Sequence, residues 1–336
     1  MARNRNVTIR EVARAANVSV STVSRVLNNK GDVAQETYER VRAVIEELGY
    51  TSSLAARSMR SRRTGVIGLI MPDVEDPYAF QIMRGINRAI AQYGYDLILY
   101  TSGSTKKVSP PEREKRYVSL LDSITDGVLI VTPATTTFPT SSPVVVIDPN
   151  IDEPECHAVI ATNYAGALAV MDYLIGLGHR RIGFIGGRPE LKSAIQRLQG
   201  YQDGLRKAGI PLDPDLIQNG DYTQEAGFVG AQRLLRLPNP PTAIFAANDQ
   251  TAFGVIQAAR QMGLEVPRDL SVVGFDNLPE TAYFNPPLTT VDQSIDKMGY
   301  VATEILIGLI RGESPNGLLY EIPTRLIIRE SCRSLL

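Results

Sequence analysis

The sequence predicts an α/β protein, in which a small N-terminal all-α head precedes a larger body of doubly wound parallel sheets arranged in two lobes. Two short helical patterns joined by a tight turn lie within residues 7–28. From residue 64 onward, short apolar runs alternate with amphipathic helical patterns, which is typical of repeated βα units covered by helices. The charge is also divided unevenly along the chain, which supports a division into separate modules.

The composition limits the class of protein. At 336 residues and 43% hydrophobic, the chain is long enough to divide into two or three domains. It has neither a signal-peptide pattern nor an apolar run long enough to cross a bilayer, so we expect a cytoplasmic protein with no membrane partner. The two cysteines, Cys156 and Cys332, have neither a disulfide framework nor metal-ligand spacing, and we expect no metal and no cofactor.

The first predicted helix begins with a capping box. The Thr8 hydroxyl can accept a hydrogen bond from the Glu11 amide while the Glu11 carboxylate reaches back to the Thr8 amide. Asn17 is predicted to end the helix, because asparagine tolerates a positive φ angle. One apolar stripe of the helix can be buried, and it consists of Ile9, Val12, Ala13 and Ala16.

A second helix is predicted to follow the turn, with Ser19 as its N-cap. Its inward residues are predicted to be Val23, Val26 and Leu27, while its outward residues are Ser21, Thr22 and Arg25. Small polar side chains on its first turn would meet base edges if the helix entered a DNA major groove. The periodicity alone is equally compatible with an ordinary helical hairpin.

The charge distribution favours the DNA-binding interpretation. Residues 1–63 contain 12 Lys or Arg against 6 Asp or Glu, a net charge of +6, whereas the remainder carries 23 against 30, a net charge of −7. A third helix with Tyr38, Val41, Ile45 and Leu48 on one face is predicted to complete the head. A basic linker follows up to residue 63, with a short helical segment at 54–59, and a solvated tether is the alternative.

The body is predicted from seven apolar runs that resemble buried parallel strands. They are residues 66–71, 97–100, 127–131, 144–147, 182–186, 243–247 and 271–275. Amphipathic helices are predicted between most of them, such as those at Phe80 to Tyr93, Tyr164 to Leu177, Ala194 to Lys207 and Gln250 to Met262. Such folds bind ligands outside the carboxyl ends of their strands, so we expect a binding cleft between the two lobes.

Several segments together resemble the lactose/galactose repressor (LacI/GalR) family of bacterial transcription regulators over essentially the whole chain. The head segment VTIREVARAANVSVSTVSRVLN is similar to the helix-turn-helix signature of that family. The body segments GHRRIGFIGG, AIFAANDQTAFG, LSVVGFDNLPE, PPLTTVDQ and PTRLIIRESC match family segments in the same order. The resemblance implies a body similar to periplasmic sugar-binding proteins.

The resemblance also implies the domain boundaries. We expect a helix-turn-helix head at residues 1–51, a hinge helix and linker at 52–63, and an effector-binding and dimerisation body at 64–336. Within the body, we expect an N-lobe of about 64–161 plus 293–322 and a C-lobe of about 162–292 plus 323–336.

Family members bind a pseudo-palindromic operator duplex as dimers, which implies that one recognition helix, here from about Ser19 to Leu27, enters the major groove at each half-site. Val20 and Ser21 hold the positions that vary with operator sequence, and we expect a thymine-methyl contact and one modest hydrogen bond. The alternative is that Val20 packs inward. Further base or phosphate contacts are implied for Thr8, Ser19, Thr22, Ser24, Arg25 and Asn28.

Family linkers fold into a hinge helix on specific DNA, and paired hinges push an apolar wedge into the minor groove at the operator centre. The wedge is usually leucine and falls here on Met59, which we expect to insert less rigidly. Ala55 and Ala56 are small enough to let two hinge helices approach. The implied hinge contacts are Leu54, Ala55, Ala56, Arg57 and Met59.

The resemblance places a small-molecule effector, by default a sugar, in the cleft of the body. Carboxylate, amide and guanidinium groups suit sugar hydroxyls, which both donate and accept, and Tyr222 offers an aromatic face. The implied effector-binding residues are Asp73, Tyr78, Phe80, Asp148, Arg197, Tyr222, Asn248, Asp276 and Gln293. Structural alternatives remain open, since Asp276 can cap a turn, Tyr222 can be a surface residue and Arg197 can serve an ion pair.

Two classes of function follow. The first is a homodimeric transcription repressor controlled by a small carbohydrate, with the effector as an inducer by default. The second is a sugar-binding transport or chemosensory protein, which would have the body alone behind an export signal, and the head favours the first. The sequence has no dinucleotide-binding or phosphate-binding glycine loop and no catalytic triad pattern, so we expect no enzyme.

Overall fold

A computed structural model describes residues 7–27, 32–50, 63–103, 109–151 and 153–336. The chain separates into two compact units, a head of residues 1–64 and a body of residues 65–336. Asn28 and the predicted hinge contacts at 54–59 lie outside the described residues.

The described part of the head contains three helices, α1 (Ile9–Ala15), α2 (Val20–Leu27) and α3 (Gln35–Glu47). Their apolar faces form one small core, because each helix presents a buried stripe at helical spacing. The residues buried in it are Ile9, Val12, Ala13, Ala16, Val23, Val26, Val41 and Tyr50. The three predicted head helices are therefore confirmed.

The turn between α1 and α2 follows from its local chemistry. Asn17 has a φ angle of 52°, the left-handed conformation that asparagine tolerates. The Ser19 hydroxyl accepts a hydrogen bond from the Thr22 amide at 3.1 Å and so caps the start of α2. The capping box of α1 is also present, since the Glu11 carboxylate accepts from the Thr8 amide at 2.7 Å.

The body alternates strands and helices along the chain. Its strands are β1 (Val66–Met71), β2 (Asp96–Thr101), β3 (Gly127–Val131), β4 (Val144–Ile147), β5 (His157–Ala161), β6 (Ile182–Ile185), β7 (Ile217–Gln218), β8 (Ala243–Ala246), β9 (Ser271–Val273), β10 (Thr290–Asp292), β11 (Leu319–Ile322) and β12 (Arg325–Ile327). Its helices are α4 (Pro77–Tyr93), α5 (Pro110–Leu121), α6 (Asn163–Gly176), α7 (Lys192–Lys207), α8 (Gln224–Leu235), α9 (Asp249–Gln261) and α10 (Ile295–Arg311). Two short 3₁₀ turns lie at Pro214–Leu216 and Pro279–Ala282.

Within the described residues, these strands form two parallel sheets. The first has six strands in the order β11-β5-β4-β3-β1-β2, and the second has four in the order β7-β6-β8-β9. Strands β10 and β12 pair with each other in antiparallel fashion. Each parallel sheet belongs to its own buried apolar core, so the predicted α/β class with two lobes is confirmed.

The first lobe includes a helix and a strand from late in the chain. Helix α10 packs against α4 so closely that a Cβ atom on Gly299 would lie 2.2 Å from the carbonyl oxygen of Ile82. Strand β11 then pairs with β5 at the edge of the six-stranded sheet. The chain therefore crosses between the lobes at three places, after β5, after β10 and after β11.

Hydrogen bonds tie the crossing segments together. The Thr324 amide donates to the Thr162 hydroxyl at 2.9 Å, which joins the first and third crossings. The Arg325 guanidinium donates to the Asp292 carboxylate at 3.2 Å, which joins the second and third. Three short connecting segments held side by side can bend together, so the three crossings are suited to act as a hinge between the lobes.

Candidate functional sites

The outer surface of α2 is a candidate contact surface. Val20 is 39% exposed, so the alternative in which it packs into the head core is wrong. The hydroxyl of Ser19 lies 2.7 Å from that of Ser21 and 2.8 Å from that of Thr22, which forms a chain of three hydroxyl groups at the start of the helix. Hydroxyl groups both donate and accept, so this chain can adapt to phosphate oxygens or to base edges.

Arg25 lies on the last turn of α2 and is also exposed. Its Nε atom is 3.5 Å from the carboxylate of Asp32, and both side chains are more than half exposed. An ion pair at the surface contributes little to stability and is easily replaced by another anion. Arg25 therefore remains able to contact a phosphate, and the sequence pattern did not reveal Asp32 as its partner.

A cavity of about 540 Å³ lies in the body. Its walls are the segments that follow β1, β3, β4, β6, β8 and β9, together with the segment before α8. These segments meet because the carboxyl ends of parallel strands face the same edge of each sheet. The cavity is of the size that small-molecule sites in proteins usually have.

Arg197, on α7, is held at the cavity wall by several contacts. Its Nε atom donates to the Asn163 side-chain oxygen at 3.0 Å, and one terminal nitrogen donates to the carbonyl oxygen of Ala247. That terminal nitrogen also lies 3.6 Å from the Asp276 carboxylate. The guanidinium plane covers the ring of Phe275 at 3.9 Å from the ring centroid. These contacts fix the orientation of a buried charge that would otherwise be costly.

Asp276 faces the same part of the cavity. Its Oδ1 atom accepts a hydrogen bond from the Gln293 amide at 2.6 Å. Burial raises the pKa of Asp276 to about 7, although the Arg197 guanidinium acts in the opposite direction. Gln293 is 1% exposed and does not line the cavity, so the structure places it behind Asp276, where it orients the carboxylate.

Asp148 follows β4 and approaches from the first lobe. Burial raises the pKa of its carboxyl group, while the charges of Arg197 and Lys192 lower it. Tyr78 belongs to the same wall, and its buried hydroxyl has no hydrogen-bond partner among the described residues. A buried hydroxyl without a partner at a cavity wall is suited to receive a ligand, because leaving it unsatisfied costs free energy.

Tyr222 and Asn248 lie on the opposite wall. The Tyr222 hydroxyl is 3.2 Å from that of Ser193, so the ring is fixed against α7. Both polar atoms of the Asn248 side chain are occupied, since its Oδ1 accepts from the Thr251 amide at 2.9 Å and its Nδ2 donates to the Tyr222 carbonyl oxygen at 3.1 Å. Asn248 therefore caps α9 and supports Tyr222, and one N–H donor and one oxygen lone pair of its side chain remain for a ligand.

Four residues of the cavity wall have unusual backbone geometry. Positive φ angles occur at Thr132 (44°), Asp148 (53°), Tyr222 (73°) and Asp276 (119°). Such angles are costly for residues other than glycine, and the surrounding structure must hold them in place. Their concentration at one cavity supports a binding role for it.

The structure thus brings most of the predicted effector residues together. Asp73, Tyr78, Asp148, Arg197, Tyr222, Asn248 and Asp276 all line the cavity. Phe80 does not line it and is 47% exposed, because one step along α4 from the buried Ala79 turns a side chain by about 100°. The sequence does not predict the other lining residues, which are Pro72, Glu75, Asp76, Pro77, Ala79, Val131, Thr132, Arg188, Leu191, Ser193, Asp221, Thr223, Gln224, Gln250 and Leu278.

Neither a metal cluster nor a membrane-spanning helix occurs among the described residues. No group of three or more His, Cys, Asp or Glu side chains is placed to hold a metal ion anywhere in the described ranges. No helix in the part of the chain that the structure describes is both long and apolar enough to cross a membrane.

A helix-turn-helix head joined to a two-lobed body with a small-molecule cavity defines the class of ligand-responsive DNA-binding regulators. The chain belongs to the LacI family of bacterial regulatory proteins. The family profile described as "Bacterial regulatory proteins, lacI family" matches residues 8–53, and the profile of the periplasmic binding protein-like domain matches residues 171–332. These matches confirm the resemblance found in the sequence.

Individual relatives cover almost the whole chain. The HTH-type transcriptional repressor CytR of Escherichia coli (strain K12) is 36% identical over 98% of this chain and 97% of its own length. The structure of the lac repressor dimer bound to operator and an anti-inducer superposes with a TM-score of 0.85 at 27% identity, covering 98% of this chain and all of that chain. The transcriptional regulator CelR in complex with cellobiose gives a TM-score of 0.71 at 31% identity, covering 97% and 99%. The chain is therefore a transcription regulator and not an enzyme.

Proposed function

We propose that this protein is a transcriptional repressor that binds a pseudo-palindromic operator as a homodimer and releases or retains it according to a small carbohydrate bound in the body cavity. The observation that carries the carbohydrate proposal is the grouping of Asp148, Arg197 and Asp276 around one part of that cavity. Support also comes from two solved relatives, a lac repressor that binds operator as a dimer and a CelR that binds cellobiose.

The grouping suits a sugar for two reasons. A sugar hydroxyl both donates and accepts, so it can donate to the carboxylate of Asp148 or Asp276 while accepting from the Arg197 guanidinium. The aromatic ring of Tyr222, on the cavity wall, offers an apolar surface for the C–H face of a pyranose. The unpartnered Tyr78 hydroxyl provides a further hydrogen bond from the opposite wall.

In the proposed mechanism, the effector changes the relative position of the two lobes of the body. The lobes have the N-lobe and C-lobe boundaries expected from the sequence. Asp148 and Tyr78 come from segments next to strands of the six-stranded sheet, whereas Arg197 and Asp276 come from the lobe of the four-stranded sheet. A ligand that bonds to residues of both lobes binds more tightly when the lobes have one relative position than when they have another. It therefore shifts the equilibrium between these two arrangements of the lobes. We propose that this shift changes the spacing of the paired hinge segments, and that the sugar acts as an inducer.

The proposed DNA contacts are those expected from the sequence, namely Thr8, Ser19, Val20, Ser21, Thr22, Ser24, Arg25 and Asn28 in the head and residues 54–57 and 59 in the hinge. Their support is the exposure of Val20 and Ser21 and the hydroxyl chain at the start of α2. Selection of operator sequences from random duplexes tests the head. Ser21→Ala should relax the preference at one position, at a cost of about 0.5–1.5 kcal/mol for one hydrogen bond, and Arg25→Ala should weaken binding to all sequences and reduce the salt dependence.

The effector proposal is tested by thermal unfolding of the full chain with a panel of mono- and disaccharides. A ligand that binds only the folded state stabilises it by about 2.7 kcal/mol at a hundredfold excess over Kd. The shift should be lost in Asp276→Ala and in Asp148→Asn and retained in Asp172→Ala, a control that removes a half-exposed carboxylate on α6 outside the cavity. A shift that survives in both cavity variants would place the ligand elsewhere.

A second candidate function is sugar binding for transport or chemosensing without a role on DNA. An operator selection that yields no preferred sequence, with a sugar-dependent shift intact, would favour this candidate. Preferred duplexes whose affinity changes when the sugar is added would exclude it and would also give the sign of the regulation.

A further inference from the structure

The cavity lining has an excess of negative charge. Among the described residues, six carboxylates line the cavity, against two guanidinium groups, those of Arg188 and Arg197. A concave site with an excess of one charge excludes ligands of the same sign, since its walls have a low dielectric constant. The carboxylates belong to Asp73, Glu75, Asp76, Asp148, Asp221 and Asp276.

Arg197 is not available to offset an anionic ligand. It is hydrogen bonded to Asn163 and Ala247 and lies 3.6 Å from the Asp276 carboxylate. When Asp276 is ionised, above its pKa of about 7, the positive charge of Arg197 therefore compensates this buried negative charge. An anion that bound there would have to compete with Asp276 for the same guanidinium group.

The second guanidinium, that of Arg188, lines the cavity from the lobe opposite to that of Asp76. Asp76 is the N-cap of α4 and follows β1, while Arg188 follows β6. Burial raises the pKa of Asp76, whereas the positive charge of Arg188 lowers it. The buried Nε–H of Arg188 nevertheless has no hydrogen-bond partner within the described part of the chain, so one donor remains for a ligand.

We infer that the cavity takes an uncharged, polyhydroxylated effector and excludes phosphorylated or carboxylated ones, and that Asp76 sets this selectivity by offsetting the charge of Arg188. The Arg188 Nε–H then donates to a neutral oxygen of the ligand. A phosphate group, with a charge of about −1.5 to −2 at pH 7, would meet the carboxylates of Asp76 and its neighbours instead. This inference rests on the cavity being the effector site proposed above.

The test uses inorganic phosphate as the probe, so it does not depend on knowing the effector. Binding of phosphate to the full chain is measured by calorimetry at constant ionic strength and at about pH 8, where Asp276 is ionised, for the wild type, Arg188→Met, Asp76→Asn, and Asp76→Asn combined with Arg188→Met. We expect Asp76→Asn to bind phosphate at least about tenfold more tightly than the wild type, because one negative charge is removed from the wall of the cavity that would hold the anion. The gain should disappear in the double variant, because Arg188 is its source.

The variants are matched to the structure. Asparagine is as good an N-cap as aspartate, so Asp76→Asn keeps the hydrogen bond that the Tyr78 amide donates at 3.0 Å and the start of α4. Asp76→Ser provides a second uncharged cap if the first variant folds poorly. Asp172→Asn removes a carboxylate outside the cavity and should leave phosphate binding unchanged.

Three results would overturn the inference. They are an unchanged phosphate affinity in both Asp76 variants, a gain that persists without Arg188, and wild-type phosphate binding that Arg188→Met abolishes. The absence of a thermal shift with every sugar of the panel would be a separate result, because that panel tests which neutral ligand binds. Once an effector is found, its phosphorylated form should bind the wild type at least about tenfold more weakly, and Asp76→Asn should narrow that difference.

Discussion

The raised pKa of Asp276 predicts how the stability of the body changes with pH. Burial raises this pKa to about 7 in the folded protein, whereas an aspartate in the unfolded chain titrates near 3.8. Between these values the folded state holds the proton that the unfolded state has released, so stability falls as the pH rises. Most of the effect is complete slightly above pH 7, where the folded state also loses the proton.

The expected magnitude follows from the two pKa values. Between pH 5 and pH 8, titration of Asp276 should lower the free energy of unfolding by about 3 kcal/mol. Asp276→Asn removes this titration, so the difference in stability between variant and wild type should move in favour of the variant by about that amount over the same range. Asp276→Asn also removes the negative charge that helps raise the pKa of Asp249. The lower pKa of Asp249 in the variant further favours the stability of the variant as the pH rises.

The assay is urea unfolding followed by far-ultraviolet circular dichroism at pH 5, 6.5 and 8, without any sugar. The chain contains no tryptophan, so the backbone signal is the more informative one. Asp172→Asn serves as the control, since this half-exposed carboxylate pairs with Lys207 at the surface. Parallel pH curves for the wild type and Asp276→Asn would refute the reasoning and would mean that Asp276 stays ionised throughout.

Three further predictions concern the hinge, the head and the first lobe. Met59→Ala should weaken binding to the selected operator far more than binding to random DNA in an electrophoretic shift assay, and an equal loss on both would contradict the wedge role. Glu11→Ala should destabilise α1 by about 1 kcal/mol, seen as faster hydrogen exchange of its amides, because the Thr8 amide loses its acceptor. Gly299→Ala should lower the stability of the body by about 1–3 kcal/mol or more, since the new methyl group would overlap the Ile82 carbonyl. Gly176→Ala should leave the stability of the body unchanged, because no atom lies within 4 Å of the new methyl group. Comparable losses of stability in the two variants would show that the close approach of Gly299 to Ile82 is unimportant.

The elements that the sequence predicted are those with a strong local signal. All seven predicted strands form, because continuous apolar runs bounded by polar residues have few alternatives in a chain of this kind. Helix α5 was missed because its buried stripe is narrow and its sequence is highly charged, although the Ser109 and Glu112 capping box marked its start. Strand β7 has only two residues and depends on its pairing with β6, so no pattern in the chain could indicate it.

The candidate site was predicted in part. Asp148 and Asp276 follow buried strands directly, and the carboxyl ends of parallel strands are where such folds bind ligands. Arg188 and Asp76 carry no comparable signal, because each follows a strand in a loop whose path the sequence does not determine. The position of Phe80 after β1 predicts a place at the cavity, but its direction on α4 turns its side chain away.

By itself, the sequence determined the fold class, the order of the modules, the three head helices and the family of regulators. The fold class and the helices depend on helix caps and on the periodicity of apolar residues, which act over a few residues. The family depends on the order of the motifs, which is visible along the chain without any contact between them. Only the tertiary structure decided which polar groups remain free to meet a ligand. The Asn248 side-chain amide donates to the Tyr222 carbonyl oxygen, Arg197 lies 3.6 Å from the Asp276 carboxylate, and Arg188 and Asp76 line the same cavity from different lobes. Each of these relations joins residues distant in the chain or in different lobes, so it exists only once the strands have brought their carboxyl ends together.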